Sequence, residues 1–459
     1  MHKTKIFPSS LKVAKVVPLQ KSKDKTDPNN FRPISLLPIL TKPIEKHIQK
    51  HLLQYMETNT LFHKFQSGFR KNHSCHTSLV TLIDTWLSTI NNEELNGAVF
   101  LDFKKAFDLV DHSTLLKKLH VYIRDKNTLS FFESYLKGRK QFVSLNCKTS
   151  SIGSLTCGVP QGSILGPILF CIYINDLPMC IENNNVRCDL LADDSTIHTK
   201  GKSIEEIELS LQNSLNKIDE WCRANHMILN SSKTKSMVIT TRQKHQLKTL
   251  SLKLSVGASQ IEQVREHRVL GVILDQEMKW ESHISSLCKK LSRNLYLLSK
   301  LSSYASRDAL LMFYNAHILS HINYASSLWD GAGELHLKRI DSLYRRAAKI
   351  IGRGMQISTE EKQKQLKMLP LKKQLLYNKS IIMYKVWNGD LPSYLTTVFR
   401  KATARYHSSN FILPLTRIDL FKRSLMFSGA SCWNTLPSNV KNCKSLKSFR
   451  NNVFQYLFV

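Results

Sequence analysis

The sequence of 459 residues predicts an α+β fold: a sheet with helices on one face through about residue 280, then helices alone. Three observations carry this expectation. From Gly97 to Leu274, short apolar runs of strand type alternate with stretches of helical periodicity. Beyond residue 280 the apolar residues keep helical spacing, with Ile284, Leu287, Leu291, Leu295, Leu298 and Leu301 on one stripe and Lys289, Lys290, Arg293 and Lys300 off it. The chain is long enough for about three domains of roughly 150 residues, and an apolar content of 42% is ordinary for packed cores.

The elements follow in order. The first 96 residues read as basic and irregular, punctuated by Pro18, Pro28, Pro33, Pro38 and Pro43, with helices over Ile44–Met56 and Ser78–Ile90. Ala98–Leu101 is a short buried-strand run, followed by helices at Ser113–Tyr122 and Thr128–Leu136. Gln141–Asn146 and Ser150–Thr156 read as strands, and Ser163–Asn175 as an apolar helix. Val186–Leu191 and Ser195–Thr199 would be strands hinged at a pair of aspartates. Ile204, Ile207, Leu211, Leu215, Ile218 and Trp221 mark one face of a long helix. Strands return at Ser236–Thr240, Leu250–Val256 and Val269–Leu274, and helices fit Arg307–Trp329, Glu334–Ile351 and Lys372–Trp387.

Charge narrows the class of partner. Against 35 Asp and Glu stand 66 Lys and Arg, a net +31, which makes a polyanion the leading partner because neutralising phosphates releases counterions. From Ile351 onward there are 18 Lys and Arg against 4 Asp and Glu, with aromatics interleaved at Tyr377, Tyr384, Trp387, Tyr394, Tyr406, Phe411, Phe421 and Trp433. Such a segment suits nucleic acid; the plain alternative is a helical region with those rings in its core. The longest apolar stretch, Ile164–Ile174, is broken by Gly166 and Pro167 and is too short for a bilayer, so no membrane role is expected. Ten cysteines without C-x-x-C spacing, and no secretory start, favour a reducing, intracellular location in the nucleus or the cytoplasm.

Three segments carry chemistry. Cys188-Asp189-Leu190-Leu191-Ala192-Asp193-Asp194-Ser195 holds two adjacent aspartates, and Asp102 ends the Ala98–Leu101 strand 91 residues before Asp193. Two divalent ions about 3.5–4 Å apart need carboxylates from separate segments, which this pairing supplies. Between them lies Gly158-Val159-Pro160-Gln161-Gly162-Ser163-Ile164-Leu165-Gly166-Pro167, a loop opening a helix, with one polar side chain suited to a nucleotide or template. Singly, each has an ordinary reading as a capping aspartate, a charged turn or a capped loop. Their occurrence together, in this order, favours the two-metal reading.

Phe100–Asp108, Gly158–Phe170 and Leu191–Asp194 resemble the palm motifs of reverse transcriptases, closest to the non-LTR (LINE-type) retrotransposons of the jockey-like group. Phe31–Leu37 with Lys42, Glu45 and Lys46 resembles their first fingers motif, and Phe65–Arg70 with His73, Ser74 and Cys75 the second. Trp221–Asn230 with Lys233-Thr234-Lys235 is similar to the later palm motif, and Leu270–Asp275 with Lys279, Trp280, His283 and Ile284 to the primer-grip region. The resemblance covers about residues 11–290 and extends loosely into the tail at Ser431–Pro437.

The resemblance implies a right-hand polymerase with an antiparallel palm sheet: fingers at about 1–96, palm at about 97–280, a helical thumb at 281–351 and a basic nucleic-acid-binding region at 352–459. It implies an RNA-directed DNA polymerase extending a DNA primer on an RNA template with dNTPs and Mg²⁺, or Mn²⁺. Asp102, Asp193 and Asp194 would form the metal site. Arg32 and Arg70 would hold triphosphate oxygens. Phe103, Phe107, Gln161 and Gly162 would line the nucleotide and template site, with Phe107 under the sugar. Asp108 and Asp111 would brace or cap the helix near Ser113, outside the metal set. Lys338, Arg339, Arg345, Arg346 and Lys349 would follow the duplex backbone.

Two departures stand out. Leu191 occupies a primer-contacting position where the family usually has Tyr or Phe, keeping an apolar contact of smaller area. The chain also begins almost at the fingers, so an endonuclease for integration would come from elsewhere, or the chain is a truncated copy. The rival expectation is a degenerate or co-opted fragment that binds RNA without polymerising.

Overall fold

The computed structural model describes residues 6–21, 24, 26–182, 185–247, 250–403 and 409–458. It opens with an antiparallel pair, β1 (Val13–Gln20) and β2 (Phe31–Leu36), where irregular chain was expected. The prolines read as breakers explain the miss: Pro18 faces Pro33 in the register. A facing pair without N–H on either side can only be a non-hydrogen-bonded one, so the ladder loses nothing. Helices α1 (Thr41–Thr58) and α2 (Cys75–Asn91) follow, the latter started by a capping box of Ser74 and Thr77.

The central strand is β3 (Leu95–Leu101), buried at every position. After it come α3 (His112–Tyr122), α4 (Lys126–Leu136), β4 (Lys140–Leu145) parallel to β1, and α5 (Gly166–Ile174). Where Ser150–Thr156 was expected only Gly153–Ser154 is strand, with Lys148–Thr149 a two-residue strand just before it. Next are β5 (Arg187–Leu191), β6 (Asp194–Gly201), α6 (Ile204–Ala224), β7 (Lys235–Ile239) and β8 (Glu262–Gln263). They complete a sheet in the order β8–β7–β3–β6–β5, antiparallel except between β7 and β8.

Helices cover both faces of this sheet, not one. Ala98 and Phe100 pack into a core with α2, whereas Val99 and Leu101 enter a second core with α5 and α6. An uninterrupted apolar run such as Ala98–Leu101 signals this double burial. Val269–Leu274 proves to be two strands, β9 (Glu266–Val269) and β10 (Val272–Asp275), turned at Leu270 and Gly271 with φ of +47° and +84°. Of Leu250–Val256 only Ser255–Val256 is strand.

The helical part begins with α7 (Glu281–Leu301) and α8 (Arg307–Tyr314). The single helix expected over Arg307–Trp329 is broken: a π-turn covers Asn315–Leu319, and Tyr324 leaves the helix before Ala325 at φ +52°. The Tyr324 hydroxyl donates to Leu270 O, so a tertiary bond to the β9–β10 turn accompanies the break. Helices α9 (Glu334–Ile351) and α10 (Leu371–Asn388) match expectation within a residue.

The expected boundaries at 280 and 351 fall inside one continuous core that runs from Leu79 of α2 through Trp329 and Trp433 to Leu457. Most of the tail aromatics belong to it: Tyr384, Tyr394, Phe411, Phe421 and Trp433 are buried, and Trp387 stacks on Trp433 at 5.5 Å. The plain alternative therefore holds for those rings, since burial of each stabilises by about 1.5–3 kcal/mol; Tyr406 lies outside the described residues. Polar contacts fasten the tail to α2. Asp84 accepts from the Leu425 and Met426 N–H groups at 2.9 Å each, and Asn91 accepts from Arg417 N–H at 2.8 Å. Nearby, Lys379 and Asp330 form a buried pair at 2.6 Å.

Asp84→Ala leaves two buried N–H groups without acceptors. It is expected to lower unfolding free energy by about 2–5 kcal/mol, read by urea denaturation, with limited proteolysis cutting first after residue 400.

Candidate active site

The register of β3 and β6 sets Leu101 opposite Ser195, so Asp102 emerges beside Asp194 at the sheet's edge. Strands β5 and β6 pair Leu191 with Asp194 and leave a two-residue turn of Ala192 and Asp193, with Ala192 at φ +57°. Hairpins this tight need a positive φ to match strand twist. Asp102, Asp193 and Asp194 are thus gathered at one end of the palm, as the sequence predicts.

Burial and neighbouring charge both act on the Asp193 and Asp194 carboxyls. Surrounding chain pushes the Asp193 carboxyl up; Asp102 adds to the rise, while Arg32 and Lys21 oppose it. Asp194 is also raised, by its surroundings first and then by Asp193 and Asp102. Asp102 is held by residues that no single motif position flagged: Asn230 Nδ2 donates to its Oδ2 at 2.9 Å, and its N–H donates to Thr234 Oγ1 at 3.3 Å. The signal lay within the Trp221–Lys235 segment, which was read as a motif without a role for each side chain.

Other expected site residues divide. Arg32 is exposed on β2, where its charge reaches both Asp193 and Asp108. Phe107 is half-buried and stacks on Phe170 at 4.5 Å, which fixes its ring plane. Gln161 donates to Asp108 Oδ1 at 2.8 Å, so Asp108 braces this loop while Asp111 caps α3 by accepting from Thr114 N–H. Gly162 sits at φ +119°, and a Cβ there would lie 2.6 Å from Ser35 O, so this loop and β2 approach closely only through glycine. Ser35 N–H donates to Gln161 O at 2.7 Å and Lys42 Nζ to Gly162 O, joining β2 and α1 to the loop.

Two of the expected residues are engaged within the fold. Phe103 is 7% exposed and belongs to the core between β3 and α5, on the same alternating face as Val99 and Leu101. Arg70 grips Glu57 with two bonds of 2.8 Å and donates Nη1 to the His63 and Gln66 carbonyls, so its guanidinium is committed to holding the fingers. Sequence reading also passed over Asp189, buried between Arg187 and His198. Burial works to raise Asp189, but those two partners outweigh it and hold the carboxyl below its usual range.

A cavity of about 400 Å³ adjoins Asp102 and Asp194, walled by Lys233, Lys235, His267 and Arg268, with His267 stacked on Phe100 at 4.4 Å. Among the described residues, no group of three or more His, Cys, Asp and Glu side chains is close enough to hold a metal by itself. The donor chemistry of Asp102, Asp193 and Asp194 nonetheless fits a hard divalent cation, whose usual ligands are carboxylate oxygens. No helix among the described residues is long and apolar enough to cross a membrane.

A central strand delivering one aspartate to a hairpin that carries two more, with a glycine-rich loop and a basic cleft beside them, defines a polymerase palm. Residues 21–274 match the family model of "Reverse transcriptase (RNA-dependent DNA polymerase)", and the chain belongs to that family. It is similar to the probable RNA-directed DNA polymerase from transposon X-element of Drosophila melanogaster, 27% identical over 75% of this chain and 38% of the relative. The RNA-directed DNA polymerases from mobile element jockey are 28% identical, in Drosophila funebris over 73% of this chain and 37% of the relative, and in Drosophila melanogaster over 79% and 40%. The chain thus spans about two fifths of the length of the curated relatives it matches.

The Asp193 carboxyl is expected to titrate above the ordinary aspartate value of about 3.9. Arg32→Ala removes an opposing positive charge and should move the titration higher still, read by carbon NMR of labelled aspartate. Arg70→Ala is expected to cost about 2–4 kcal/mol of stability by stranding Glu57, measured by urea unfolding.

Proposed function

We propose that the protein is an RNA-directed DNA polymerase of a mobile element, extending a DNA 3′-hydroxyl along an RNA template with dNTPs. The observation that carries the reading is the β3–β6–β5 register, which brings Asp102, Asp193 and Asp194 to one end of the palm. Asp102 and Asp193 would hold divalent cations, Mg²⁺ or Mn²⁺, with Asp194 beside them. Bound there, such ions lower the pKa of the primer hydroxyl and neutralise the leaving pyrophosphate.

The chain's own side chains supply position. Asn230 orients Asp102 through its Nδ2 bond to Oδ2. Arg32, exposed and facing the carboxylates, is placed to hold triphosphate oxygens. Phe107, backed by Phe170, offers a flat face under the sugar, which disfavours a 2′-hydroxyl. Gln161 and Gly162 border the nucleotide and template path, and Leu191 would touch the primer end. Arg346 and Lys349 are exposed on α9 and suit a duplex backbone, whereas Lys338 and Arg345 are paired with Glu334 and Glu360.

Primer extension on an RNA template, wild type beside Asp193→Asn, tests the reading. Wild type should incorporate dNTPs, and the variant should lose at least about a thousandfold in rate, roughly 4 kcal/mol. Equal signals from the two proteins would sink it, and RNA binding without extension by wild type would leave only a binding remnant.

A further inference from the structure

Behind the turn that carries Asp193 lies the segment Phe65–Gly68. Leu190 donates its N–H to Phe65 O at 3.1 Å and accepts from Ser67 N–H at 2.7 Å, so this segment pairs with the hairpin as a short parallel strand. Gln66, between those two bonds, is 0% exposed. Its Oε1 accepts from Gly68 N–H at 2.7 Å and from Ala192 N–H at 3.5 Å, and Ala192 is the first residue of the turn.

Two donors converging on one atom fix the carboxamide's orientation, because turned over it would set Nε2 against both. The consequence is a buried Nε2 without a hydrogen-bond partner among the described residues. An unsatisfied buried donor lowers stability, and an apolar side chain of similar length would avoid that loss. The close approach is built in as well: a Cβ on Gly68 would lie 2.6 Å from Ala192 N and 3.0 Å from Gln66 Oε1.

We propose that Gln66 is a positioning residue for nucleotide addition, its carboxamide oxygen holding the Ala192 amide and thereby the direction of Asp193 and Asp194. Ala192 sits at φ +57°, a conformation that an alanine adopts only with outside support. The contact to Ala192 is long, and contacts of this kind tighten as substrate binds. The proposal rests on the polymerase reading.

The test compares Gln66→Met, which keeps the length and removes the acceptor, with Gln66→Glu, which keeps an acceptor oxygen at the same reach. Both are assayed for kcat, dNTP KM and primer–template Kd, beside wild type and Asp193→Asn. Gln66→Met should lose at least about tenfold in kcat, with KM and Kd within about twofold, as expected when reacting groups are misplaced without loss of binding. Gln66→Glu should recover most of that loss. A kcat for Gln66→Met within twofold of wild type would overturn the proposal, as would a Gln66→Glu as slow as Gln66→Met at equal thermal stability. Should Gln66→Met fail to fold, Gln66→Asn decides: its shortened oxygen cannot reach Ala192, the same loss is expected, and activity within twofold of wild type overturns the idea. Absence of extension by wild type would be the failure of the polymerase reading, a result distinct from all of these.

Discussion

The antiparallel register of β3 against β6 governs where the rest of the chain can go. Side chains alternate along a strand, so a slip of one residue would exchange Phe100 with Val99 between the two cores. The same slip would carry Asp102 away from the turn, because its place follows from Leu101 lying opposite Ser195. Stability and site geometry are therefore one variable. The α2 face and the α5–α6 face each reject the wrong register, and by doing so they deliver the carboxylate to the sheet's edge.

Helix α2 links that constraint to the C-terminal half. One face packs on β3, other positions receive the tail through Asp84 and Asn91, and His76 Nε2 lies 2.7 Å from Ser327 Oγ of the helical part before it. The tail also touches the segment behind the catalytic turn, where Tyr394 and Ser67 share a hydroxyl contact of 2.8 Å. Most of the rings in this region are thus engaged in holding the two halves together.

Much of the fold was legible because its signals are local. The periodicity of α6, α7 and α9 and the apolar run of β3 are written in consecutive residues, and the aspartates stand next to characteristic neighbours. What escaped depended on distant partners. β1 and β2 hide behind prolines that are harmless only when they face each other. The break at Tyr324 coincides with a bond to Leu270, far away in sequence. Arg70 read as a substrate ligand because motif position cannot reveal that Glu57 already occupies its fork. Phe103 read as a site residue from its adjacency to Asp102, although strand alternation sets it on the inward face with Val99 and Leu101.

The charge arrangement explains why so many unremarked residues converge on the turn. Burial and the neighbouring like charges both disfavour the ionised Asp193 and Asp194, so the folded state carries unfavourable interactions at this turn. Left to itself, a two-residue turn bearing such charges would open. It is held by backbone pairing on the Phe65–Gly68 side, by β6 on the other, and by Asn230 on Asp102, while Arg32 and Lys21 supply positive potential across the cleft. The scaffold's stability is drawn upon at this point to keep like charges close.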